Sequence, residues 1–251
     1  MWSLISIAYH EVFYRPLLNG LLFLTSIIPG HDLGIAVIVL TIVVRFILFP
    51  ITHSTLKTQR AMKALEPEIK RIQQGQQNRE EKSRALMELY KAHGINPFSG
   101  FVLLLIQLPL LIALYQVFWQ GIPFTGAGLY SFLSLPENIG TMFLGFIPLQ
   151  QPSIALAALA AVSQFWQARL AIPPSSAKAP ESKPPTPDFG SMMQKQMLYM
   201  FPVLIFFLGF RLPAAVSIYW TAMNIFAIVH EAIVRKKGQR FDNDSASKRT
   251  T

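Results

Sequence analysis

Residues 32–50 read DLGIAVIVLTIVVRFILFP. Val, Ile, Leu and Phe fill this run. At about 20 residues it is long enough for a helix to cross the hydrocarbon core of a bilayer. One full charge interrupts it, Arg45. An arginine at the centre of an apolar helix costs about 2.5–3.5 kcal/mol on insertion scales. Two readings of Arg45 follow. It stands about five residues, roughly 8 Å, from the end of the run, so its side chain could snorkel to the headgroups. Alternatively it faces a watery cavity inside a helix bundle and serves function.

Composition places the rest of the chain in the same class. Of 251 residues, 52% are hydrophobic and 14% charged, against about 25% charged in a soluble domain. Cysteine is absent, which excludes disulfides, thiolate metal sites, a catalytic thiol and a lipidated cysteine. No fixed-period repeat is visible. The first residues show no positively charged n-region with a small-residue cleavage site and no Arg- and Ser-rich transit pattern, so no cleaved signal peptide is expected and a bacterial plasma membrane is favoured.

Outward from 32–51, the first span, the chain alternates between apolar and polar segments. Residues 1–31 hold an apolar run, Leu17 to Ile28, broken by Pro29, Gly30 and His31. About 12 apolar residues suit an interfacial helix better than a span; a sixth span beginning near Met1 is the rival. Residues 52–97 carry nine Lys/Arg and five Glu. Met62, Leu65, Ile69 and Ile72, then Ala85, Leu86, Leu89 and Tyr90, recur at helical spacing. This predicts a two-armed helical hairpin outside the membrane, turning at Gly75 and Asn78 and broken near Pro67. Residues 98–120 form a second span containing Gln107 and Pro109. Residues 121–151 form a loop with five Gly and three Pro.

A third span, 152–170, ends in Ser163, Gln164 and Gln167. Residues 171–194 are a linker, with six prolines in 173–190, expected to be extended and disordered. The fourth span, 195–211, and the fifth, 214–234, are joined by a turn at Arg211, Leu212 and Pro213. A basic tail, 235–251, follows and is expected to be disordered. The expected fold is thus an all-α polytopic membrane protein with five transmembrane helices, a helical hairpin and an N-terminal interfacial helix.

Charge orients this arrangement. The hairpin, the segment after the third span and the tail carry 19 of the 22 Lys/Arg. By the positive-inside rule they face the cytoplasm and the N-terminus faces out. Most of the +9 net charge is then orientation signal, although a basic cytoplasmic surface also suits anionic lipid or ribosomal RNA. The same topology sets the depth of the intramembrane polar groups: Arg45, Gln107, Gln164, and, on one face of the fifth span, Ser217, Thr221 and Asn224 beside Tyr219 and Trp220. For each neutral one, hydrogen bonding between packed helices is the alternative to a functional role. A water-filled groove open to the cytoplasm would satisfy Arg45 and these groups together.

Several blocks, in this order and at this topology, resemble the YidC-type membrane protein insertases. They are TIVVRFILFPIT with its arginine, MKALEPEIKRIQQ and ELYKAHGINPF of the hairpin, QLPLLIALYQVF, and FRLPAAVSIYWTAMNIFAIVHE. The family commonly has Gln where His230 stands. Longer forms carry an extracytoplasmic domain absent here. The resemblance implies a hydrophilic groove among five core spans, open to cytoplasm and lipid and closed outside, with Arg45 as its arginine. Gln107, Tyr219, Trp220 and Asn224 match other family positions.

That resemblance implies an insertase and chaperone for nascent membrane proteins, working in the bilayer. Its implied partners are ribosomes, a Sec-type translocase and the signal-recognition-particle pathway. No chemistry is expected. A Walker A run and an HExxH motif are absent from the sequence, and no carboxylate pair lies within the spans. No cofactor or metal is expected. The rival function is a small anion transporter or channel built on the same arginine; the long amphipathic hairpin favours the insertase. An intramembrane protease lacks its Ser/His or Asp/Asp pair in the spans.

Overall fold

The computed structural model describes residues 2–75, 78–96, 99–119, 128–134, 138–171 and 196–247. Those residues are mostly helical and fall into two compact units, residues 1–45 with 111–251, and residues 46–110. Most of the linker expected over 171–194, parts of the 121–151 loop and the last residues of the tail lie outside the described residues.

The first unit begins with α1 (Trp2–Tyr9), a π turn (His10–Tyr14) and α2 (Arg15–Ile27). Helix therefore starts well before the apolar run at Leu17. Pro16 lacks an N–H and would clash with the carbonyl four residues back in a regular helix. The π turn absorbs this, with the Arg15 N–H bonded to the His10 carbonyl. Glu11 and Arg15 pair across it at 2.7 Å. On α2, Leu18, Leu21, Leu22 and Thr25 are fully buried at helical spacing. Asn19 anchors this helix: its Nδ2 donates to the Gly128 carbonyl at 3.0 Å and its Oδ1 accepts from Tyr130 N at 2.8 Å.

Gly30 (φ 77°) makes the turn into α3 (Leu33–Ile47). Asp32 caps that helix, its Oδ1 accepting from Gly34 N at 2.7 Å and Ile35 N at 3.1 Å. Its Oδ2 accepts from Leu144 N at 2.7 Å. Leu144 lies in the turn of a short antiparallel hairpin, β1 (Met142–Phe143) with β2 (Ile147–Pro148). Beside it Gly140 exchanges backbone bonds with His31 and Leu33 at 2.9 and 3.0 Å. The chain then runs through Leu149 and Gln151, whose carbonyls accept from Ala215 N and Ala214 N at 3.2 and 2.9 Å. The starts of α3 and of the last helix are thus joined through one irregular segment that periodicity does not reveal.

Helical residues 111–119 and three further helices complete this unit: α8 (Ile154–Ala171), α9 (Phe201–Gly209, entered by a π turn at Gln196–Met200) and α10 (Ala214–Ser247). Both α9 and α10 pack on α8. Small residues let them approach: a Cβ built on Gly209 would lie 2.8 Å from Ser217 Oγ and 3.0 Å from Ala157 Cβ. Among the described helices, Ala214–Val234 is long and apolar enough to cross a membrane alone. Leu33–Ile47, Leu105–Trp119, Ile154–Leu170 and Leu198–Gly209 are shorter apolar segments. The helix continues past Val234 into polar sequence to Ser247, where the tail was expected to be irregular. No proline intervenes, and Gly238 alone disfavours helix by only about 1 kcal/mol.

The second unit holds α4 (Phe49–Ala64), α5 (Glu66–Gly75), α6 (Arg79–Ala92) and the first half of α7 (Ser99–Trp119). The break at Leu65 puts Pro67 in the first turn of α5, where a missing N–H is tolerated. Asn78 Oδ1 caps α6 by accepting from Glu80 N at 3.2 Å. Gly94, at φ 63°, follows the end of α6, and α5 packs on α6.

Candidate functional site

Along α3, Val37, Thr41 and Arg45 recur every four residues and are all buried; Arg45 is 8% exposed. Ile42, Val43, Phe46 and Ile47 form the opposite, exposed face. The guanidinium therefore leaves the helix on its packed side. Tyr219 of α10, also buried, interacts electrostatically with it. Thr41, one turn before Arg45, donates to the Val37 carbonyl at 2.6 Å.

The remaining polar residues of α10 turn to α8. Trp220 Nε1 donates to Gln164 Oε1 at 2.8 Å. Gln164 Nε2 in turn donates to Gln167 Oε1 at 3.2 Å. Asn224 Nδ2 donates to Ser163 Oγ at 3.0 Å, and that hydroxyl donates to the Ala160 carbonyl at 2.8 Å. Thr221 Oγ1 donates to the Ser217 carbonyl at 2.8 Å. Among the described residues Ser217 Oγ, pressed between α8 and α9, is buried with no hydrogen-bond partner. Gln107 lies in the second unit, half-exposed on α7.

The structure thus brings Gln164, Trp220 and Asn224 into direct α8–α10 bonds and places Arg45 beside Tyr219. Ser163 and Gln167 complete the bonding set, and their closeness in sequence to Gln164 was its signal. Asp32 had no such signal, because its partner lies 112 residues away. Among the described residues, no group of three or more His, Asp or Glu could hold a metal ion.

A family model described as 60Kd inner membrane protein matches residues 23–241. The chain belongs to that family. It is similar to membrane protein insertase YidC of Fusobacterium nucleatum, 30% identical over 209 residues covering 82% of this chain and 88% of that protein. To membrane protein insertase YidC 2 of Bacillus anthracis it is 26% identical, covering 90% of this chain and 81% of the relative. The YidC of Geobacter metallireducens is 24% identical over 92% of this chain, but the match spans only 38% of that longer protein. The fold resembles that of an active YidC insertase crystal structure with its first transmembrane domain resolved. The TM-score is 0.56 at 22% identity, over 90% of this chain and 46% of the other.

Proposed function

We propose that this member of the 60Kd inner membrane protein family inserts nascent membrane segments into the bacterial inner membrane and assists their folding. The observation that carries the reading is Arg45, set on the packed face of α3 next to Tyr219 rather than on the apolar outer face. Membership of a family whose relatives are described as insertases supports it.

In this reading five spans surround a hydrophilic groove open to the cytoplasm. The segments are those proposed from sequence, with residues 1–31 on the outer surface and the 52–97 hairpin, the linker and the tail inside. Arg45 and Tyr219 form the groove's wet wall. Gln164, Ser217, Trp220, Thr221 and Asn224 line the adjoining α8–α10 seam, and Gln107 is a further contact for the passing segment. The bonds of Asp32, Gly140 and Leu149 hold the outer ends of α3 and α10 together, which suits a groove closed on that side. No covalent step is needed. A polar, often acidic client flank meets Arg45, so its charge is desolvated over a shorter distance. The client's apolar part then moves into lipid, gaining roughly 0.8 kcal/mol per CH₂ buried. The membrane potential assists an acidic flank moving outward by about 2.3 kcal/mol per charge per 100 mV.

The partners proposed are nascent clients, the bilayer, ribosomes that meet the hairpin, a Sec-type translocase and the signal-recognition-particle pathway. Site-specific photo-crosslinking from positions 45, 107 and 220 to a stalled single-span client tests the reading. Crosslinks that move along the client as it lengthens are expected. Arg45→Ala should slow insertion of clients with acidic flanks, and Arg45→Lys should slow it less. Unaltered insertion in Arg45→Ala, with no crosslinks from 45 or 220, would sink it.

A further inference from the structure

Helices α8 and α9 leave a cleft of about 270 Å³ between them, lined by Ala161, Val162, Phe165, Pro202, Val203 and Phe206. All six are apolar, and Val162 and Val203 are each 54% exposed. The cleft is therefore open to the outside of the helix pair. One end carries a different chemistry. Arg169 follows Phe165 by one helical turn, and its guanidinium sits 5.8 Å over the exposed Trp166 ring. Tyr199 closes the same end, its ring 6.1 Å from that of Phe165. Among the described residues Arg169 makes no ion pair. From the cleft to this end the order is aliphatic floor, aromatic rim and exposed cation. A phospholipid has the matching order of acyl chain, interface and phosphate.

We propose that this cleft binds one anionic phospholipid, an acyl chain lying between α8 and α9 and the phosphate held by Arg169. The exposed Arg169 cation at the rim is what favours an anionic lipid over an apolar client helix. Arg169 supplies the charge preference, and its stacking on Trp166 holds the guanidinium at the cleft's mouth. The site is independent of the insertase reading, because it uses none of the groove residues.

The test uses the full chain purified from nanodiscs containing equal phosphatidylglycerol and phosphatidylcholine, with retained lipid measured by native mass spectrometry. The wild type should retain phosphatidylglycerol over phosphatidylcholine by about fivefold, the share of one basic residue near an anionic surface. Arg169→Gln, at an exposed position, should bring the two lipids to within about twofold of each other. Val203→Trp should fill the cleft and reduce retention of both. Equal retention by the wild type, an unchanged preference in Arg169→Gln, or undiminished lipid in Val203→Trp would each overturn the assignment. So would a photo-crosslinker at position 162 that captures a client segment and no lipid.

Discussion

At the scale of single residues, Asp32 ties three backbone amides together. It caps α3 with one oxygen and fixes the Leu144 amide with the other. Asp32→Ala should destabilise the protein by about 1–3 kcal/mol, read as a lowered midpoint of thermal unfolding in detergent; Asp32→Asn, which keeps one acceptor, should lose less. Gly34 is required by packing: a Cβ there would clash with the Phe143 ring. Gly34→Ala is expected to cost about 1–3 kcal/mol, and Phe143→Ala in the same chain should recover part of it. Ser217 behaves oppositely. Its hydroxyl is buried without a partner among the described residues, so Ser217→Ala should be neutral or stabilising by up to about 1 kcal/mol in the same assay. Burial raises the Tyr90 phenol above its ordinary value of 10.0. The fold therefore favours the neutral phenol; that stability is complete below pH 10 and is lost as pH rises through the folded value. Tyr90→Phe should remove this alkaline loss, measured by helix content of the hairpin against pH.

Elements show where pattern reading succeeds and where it stops. The two arms of the 52–97 segment were legible because each has an amphipathic period and a local stop: Pro67 in the first turn of α5, and Asn78 capping α6. The seam between α8 and α10 was half legible. Polar residues at i, i+4 and i+7 marked a face, but whether that face meets water or another helix depends on the neighbour. Here Asn224 meets Ser163 and Trp220 meets Gln164. Trp220→Phe removes one such bond while keeping an aromatic ring of smaller area, and should cost about 1–2 kcal/mol. Comparison with Gln164→Leu in a double-mutant cycle separates the bond from the lost packing. The β1–β2 hairpin, four paired residues inside an apolar loop, has no alternation long enough to announce it.

For the molecule as a whole, absence of cysteine makes orientation directly testable. A single cysteine at Ser131 should react with a membrane-impermeant maleimide from outside intact cells. One at Glu80 should react only after the inner face is opened. The opposite pattern would invert the proposed topology. The anion-channel alternative is tested in planar bilayers: the purified chain should pass no steady anion-selective current, and a current abolished by Arg45→Ala would favour the channel.

Hydropathy, charge placement and local helix signals already specify a mostly helical membrane chain, an arginine within its first apolar run and a charged, two-armed helical segment. These are short-range properties, set by each residue's own solvation and by neighbours three or four positions away. Which side of α3 Arg45 occupies, which polar groups of α10 bond to α8, and the Asp32 latch to a turn 112 residues distant came from packing alone. A hydrogen bond between distant segments depends on where the backbone delivers both partners, and no local periodicity encodes that position.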